Sequence, residues 1–83
     1  MNNGGILVRV FDMKQGLVEC KDVKTIRIIS KDYNLLIMKD YMPIIGEIVG
    51  SVDIKGEDVD LSFKQIKAFY MNSKNIFNLM IED

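Results

Sequence analysis

Apolar and polar residues alternate along most of this chain with a period of two, the spacing of a half-buried β-strand. Ile6, Val8 and Val10 alternate with Leu7, Arg9 and Phe11. "LVEC" reads as a short strand, and "VKTIRIIS" as a longer one with Ile26 and Ile28 on one face and Arg27 on the other. "LLIMK" follows as a further strand. "GEIVG" carries a glycine at each end, and in "SVDIK" Val52 and Ile54 oppose Asp53 and Lys55. "VDLSF" points Val59, Leu61 and Phe63 inward; "QIKAFYM" puts Ile66, Ala68 and Tyr70 on one face; "IFNLMIED" turns Phe77, Leu79 and Ile81 inward. "MKQG", "SKDYN", "KGED" and "NSKN" have the chemistry of turns, because Ser, Asp and Asn bond their own backbone and Gly accepts unusual dihedrals. Short strands at such spacing predict an all-β fold, a small two-sheet β-sandwich or flattened barrel, with residues 1–83 forming one domain. The segment "VDLSFKQIKAFYMNSKN" also admits a helical reading.

The single proline falls in "IMKDYMPIIGEIVG". Proline lacks an N–H and sits poorly in a central strand, so Pro43 is expected at the entry to a strand or at a sheet edge, where the chain crosses between sheets. Ile44, Ile45 and Ile48 are then expected in the core. Met38, Met42, Met71 and Met80 lie in or beside apolar strands, where methionine mainly fills irregular core gaps. Tyr33 and Tyr41 flank "LLIMK" at turn-like positions. Each is read either as a half-buried ring with its hydroxyl in water or as an interface anchor. Tyr33, Tyr41 and Met42 are the candidate partner-binding residues.

Composition narrows the function classes. With 83 residues, 48% apolar and 28% charged, the chain lies in the ordinary globular range. Eleven basic and twelve acidic residues are interspersed to a net charge of −1, which leaves no basic stripe and argues against nucleic acid as the main partner. No histidine is present, which removes Ser-His-Asp and Cys-His nucleophiles and the common histidine-containing zinc sites. No phosphate-cradling glycine motif occurs. Cys20 is alone and is expected to be a small half-buried apolar residue in a reducing compartment. Asp53, Glu57, Asp58 and Asp60 cluster, but Lys55 sits among them and their spacing is not that of a calcium loop. The opening "MNNGGILVRVFDMKQ" lacks the pattern of a signal peptide, and no apolar run approaches the roughly 20 residues of a membrane span. The expectation is a cytoplasmic protein without catalytic, cofactor or metal residues, which binds a protein partner or itself and does not insert in a membrane.

The order of features in "GLVECKDVKTIRIISKDYNLLIMKDYMPIIGEIVGSVDI" resembles the N-terminal β-sandwich of the ε subunit of F-type ATP synthase. Leu17 and Val18 match the family's short "G-x-V" strand, Ile26 and Ile28 the next strand, and Leu35 and Ile37 its "L-G-I-L" region. Pro43, Ile44 and Ile45 match "P-L-L", and Ile48, Gly50, Val52 and Ile54 match "L-x-x-G-x-(I/V)-x-(I/V)". The end of the chain is similar to the family's closing hairpin. Tyr41-Met42-Pro43 stands where the family has His-Ala-Pro, and "YNLLIMK" replaces a glycine-containing loop. The family's C-terminal helical hairpin has no counterpart in this sequence. In that family the sandwich packs on the γ stalk and its loops touch the c-ring, so the resemblance implies a binding and coupling domain. Three readings are carried forward: a stand-alone ε-like interaction domain, from a phage, a mobile element or a bacterium; a true ε-type subunit on a γ-like stalk; and an OB- or SH3-like nucleic-acid or ligand binder using Tyr33, Tyr41 and Phe69.

Overall fold

The computed structural model describes residues 5–82. Six strands follow one another: β1 (Ile6–Asp12), β2 (Gly16–Ser30), β3 (Tyr33–Met38), β4 (Ile44–Gly56), β5 (Asp60–Ser73) and β6 (Ile76–Glu82). Their order is β1-β6-β5-β4-β2-β3, and β1 also pairs with β2. That extra pairing closes five strands into a barrel and leaves β3 added to the flank of β2. All pairings are antiparallel except β1 with β6. The expected all-β class is what the chain adopts, and the segment that also admitted a helix is strand β5.

The separately read strands "LVEC" and "VKTIRIIS" form one 15-residue strand. Likewise β4 joins "GEIVG" to "SVDIK", and β5 joins "VDLSF" to "QIKAFYM". Bulges bend these long strands. The β2 register shifts between the pairs Ile6↔Val23 and Val8↔Cys20, beside Asp22 with φ 58°. The β5 register shifts between Gly50↔Ile66 and Val52↔Phe63, where β5 holds the extra residue and Gln65 has φ 55°. A bulge inserts one residue and raises the local twist, so each long strand turns a corner. Gly50 faces this corner. A Cβ there would collide with the Ile29 carbonyl oxygen, so close strand approach requires glycine.

The corners divide the barrel into two layers, and its shortest extent is 18 Å. The first layer holds the early half of β2, then β1, β6, the late half of β5 and the early half of β4. The second holds β3, the late half of β2, the late half of β4 and the early half of β5. Between them lie Val8, Val10, Ile26, Ile28, Ile37, Ile48, Val52, Ile54, Phe77 and Leu79, all essentially inaccessible to solvent. Tyr70 stacks on Phe77 at 5.6 Å between ring centroids. A side chain at Gly46 would meet the Tyr70 ring, so this glycine makes room for the tyrosine. The inward faces predicted from alternation in β2, β5 and β6 are those observed.

Three expectations change. Ile45 is 76% exposed, because Ile44 and Ile48 take the inward positions and period two sends residue 45 outward. Ile44 is only partly buried against the core. Met38, Met42, Met71 and Met80 do not fill core gaps. All four are exposed, since they lie on outward positions or in the connecting loop.

Candidate interaction surface

The two layers present different outer faces. On the second layer the outward row runs Leu36–Arg27–Asp53–Ser62, with Thr25, Lys55 and Asp60 beside it. This face is largely polar, and the Ser62 hydroxyl donates to the Asp53 carboxylate. The first layer differs. Leu17 faces Phe11, Phe11 faces Met80, Met80 faces Phe69, and Phe69 faces Glu47. Four large apolar side chains therefore stand in one unbroken row across β2, β1, β6 and β5. In the adjoining row Met71 faces Ile45.

All six of these residues are exposed large hydrophobics, as is Met13 in the β1–β2 turn. Phe11, Met13, Leu17 and Met80 line a shallow groove of about 330 Å³. The exposed fractions of the seven amount to nearly four whole side chains, on the order of 700 Å² at roughly 150–250 Å² for a large side chain. This lies at or above the upper end of the roughly 300–600 Å² apolar patch of a typical monomer. Two pairs of opposite charges stand at its border, and Glu47 closes the row at the β4 end. Arg9 Nε donates to Glu19 Oε2 at 2.9 Å, and Lys67 Nζ lies 4.0 Å from Glu82 Oε1.

The three residues singled out from sequence lie at a side seam. The early half of β4 extends past the end of β2, leaving an open strand edge opposite β3. Three of its backbone groups find local partners. Val49 N donates to Ser30 Oγ at 2.9 Å, Lys31 N donates to Val49 O at 2.9 Å, and the Tyr33 hydroxyl donates to Glu47 O at 2.6 Å. The Tyr33 and Tyr70 hydroxyls are 3.3 Å apart. Tyr33 has given its one proton to Glu47, so Tyr70 is the donor of this second bond. Burial raises the Tyr70 phenol above its ordinary range, and the hydrogen bond with Tyr33 adds to the rise. Tyr33 is thus a bracket for the β4 edge, with its hydroxyl engaged by Glu47 O and Tyr70.

Tyr41 packs against the core from the loop before Pro43, with its N–H donating to Met38 O at 3.2 Å. Met42 is 65% exposed. Its carbonyl accepts a bond of 3.5 Å from Asn72 Nδ2, which ties the loop to the end of β5 near Ile45. Asp40 N donates to Asn75 Oδ1 at 2.6 Å, and Asn75 Nδ2 donates to Asp40 Oδ1 at 3.0 Å, so the same loop is clipped to the β5–β6 turn. Pro43 immediately precedes β4, at a strand entry where the chain passes from the second layer to the first, as its missing N–H predicted. Tyr33, Tyr41 and Phe69 do not form one stacking platform. Phe69 faces outward from the first layer, while Tyr33 turns to the seam and Tyr41 to the core. The seven-residue apolar face was not singled out from sequence. Its signal was the second parity of β1 and β5, where Phe11, Phe69 and Met71 oppose the core set.

Cys20 is half-buried on β2, and burial raises its thiol above the ordinary range, which lowers its reactivity. The acidic residues Glu57 and Asp58 lie in the bend between β4 and β5.

No protein-family model and no curated protein matches this chain. Among solved structures it is similar to a chain of the mitochondrial ATP synthase central stalk and c-ring of Tetrahymena thermophila, with a TM-score of 0.76 and 13% identity. The match covers 94% of this chain and 63% of the other, so this chain spans less than two thirds of that protein's length. At this identity the likeness is one of fold, and the small β-barrel of an ATP synthase stalk or c-ring chain is the fold that this sequence shares.

Proposed function

We propose that this chain is a non-catalytic protein-interaction module that docks through the outer face of its first layer. The observation that carries the reading is the unbroken row Leu17–Phe11–Met80–Phe69, with Met71 and Ile45 beside it. Its exposed apolar area approaches the roughly 800 Å² that one partner contributes to a standard interface. The partner it fits has an apolar centre, because the border pairs Arg9–Glu19 and Lys67–Glu82 already satisfy each other and only Glu47 adds a charge, at the β4 end of the row. Met42 extends this face at the Ile45 end. Tyr41 and Tyr33 hold the loop and strand edge that present it.

A photo-crosslinking residue tests the face in the source cell. Replacing Phe69 or Met80 captures a partner, and replacing Ser62 on the polar layer captures none. Equal capture from the two layers overturns the reading. Light scattering of the purified chain separates a second copy from another protein.

The shared fold favours a more specific form of the same reading, a non-catalytic ATP synthase-related role of the ε type on a γ-like stalk. Co-purification with the rotor subunits of the source cell, lost in Phe69→Asp, supports that form. A rotor of full composition lacking the chain leaves the stand-alone ε-like domain.

A further inference from the structure

A second groove, of about 350 Å³, lies on the barrel corner beyond the β4 end of the apolar row, where Val49 faces Lys67. Ile29 and Val49 form its floor and are 43% and 40% exposed. Lys31 and Lys64 stand on its border, with Ser51 between the strands that carry them. Its lining contains no carboxylate, and neither lysine has a carboxylate within ion-pair distance among the described residues. The bulge builds this site. Gln65 takes φ 55° and the extra residue of β5 falls at Lys64 and Gln65, opposite Gly50 and Ser51. A bulge re-aims a side chain, and a non-glycine residue with positive φ carries a conformational cost. Here both serve to bring Lys64 to the groove that Lys31 borders. Both lysines therefore border one groove whose lining carries no negative charge.

We propose that this groove binds the head and first methylenes of an aliphatic anion, a carboxylate or phosphate monoester on an alkyl stem. The lysines hold the anionic head, and Ile29 and Val49 cover the stem. A bare anion would leave the apolar floor in water, and a neutral alkyl chain would leave the lysines without a counter-charge. Both a dissolved amphiphile and an anionic bilayer lipid offer this chemistry.

The test is an NMR titration of the full chain with decanoate below its micelle concentration. Decyltrimethylammonium is the same-tail cation and acetate the tailless anion. Decanoate is expected to shift the amides of residues 29–31, 49–51 and 64–65 and to bind at least tenfold more tightly than either control. Lys31→Glu with Lys64→Glu is expected to lose at least tenfold in affinity while the rest of the spectrum is unchanged. Sedimentation with phosphatidylglycerol vesicles, against phosphatidylcholine, distinguishes the sources. Binding to both decanoate and the anionic vesicles, or to either alone, supports the site and names its source. Equal binding of decanoate and the cation, shifts confined to the Phe11–Met80 groove, or an unaffected charge-reversed variant overturns the proposal. So does an acidic peptide that outcompetes both amphiphiles. None of these outcomes bears on docking at Phe69 and Met80, which is read separately.

Discussion

Tyr70 shows how one residue sets the interior of this barrel. It occupies space that Gly46 leaves open, stacks on Phe77, and gives its proton to Tyr33. Burial holds its phenol above the ordinary value of about 10. The folded chain therefore keeps this proton at pH values where the unfolded chain has begun to release it. The associated stability is fully present below about pH 10 and is lost as the pH rises further. Urea midpoints measured between pH 8 and pH 11 should fall more steeply for the native chain than for Tyr70→Phe. Parallel curves would show that other groups, such as lysines, account for the decline. At neutral pH the same variant should lose about 0.5–1.5 kcal/mol, the usual net worth of a hydrogen bond. The inward role of Tyr70 was legible, because it shares parity with Ile66 and Ala68. Its bond to Tyr33 was not, since local periodicity carries no information about which distant hydroxyl closes a seam.

The elements were legible where alternation is uninterrupted. Ile26 and Ile28, or Phe77, Leu79 and Ile81, leave one choice of face. Strand boundaries were less so. Residues near Asp22 and Gln65 interrupt the alternation as a turn would, yet they are bulges inside continuous strands. Ile45 shows the same limit. In a run of apolar residues, composition cannot say which parity points inward, and pairing across the sheet decides it. The turn between β5 and β6 was read correctly. Ser73 pairs with Ile76, and both intervening residues have positive φ, 51° at Lys74 and 62° at Asn75, as in a type I′ hairpin. Asparagine tolerates this conformation better than lysine. Lys74→Asn should therefore raise stability by about 0.5 kcal/mol, and Asn75→Ala should lower it by about 1–2 kcal/mol through the lost clip to Asp40. Thermal melts of the two variants check the opposite signs.

At the scale of the whole molecule, the last strand closes the barrel. β6 lies between β5 and β1, and its parallel pairing with β1 joins the two ends of the described chain. Removing residues 76–82 takes Phe77, Leu79 and Ile81 from the core and leaves β1 attached to β2 alone. The truncated chain should show no cooperative thermal transition and poor dispersion of its amide resonances. A retained sharp transition would mean that the remaining five strands form a sufficient core. The candidate docking face is likewise a property of the assembled sheet. Leu17, Phe11, Met80 and Phe69 come from four strands, and no window of sequence contains them together.

The three corner-turning strands also have a mechanical consequence. β2, β4 and β5 each run without a break from one layer into the other. The apolar face and the polar face are therefore opposite sides of one continuous sheet, joined by three unbroken strands. A force applied on one side reaches the other through covalent main chain at three corners, and not through side-chain packing alone.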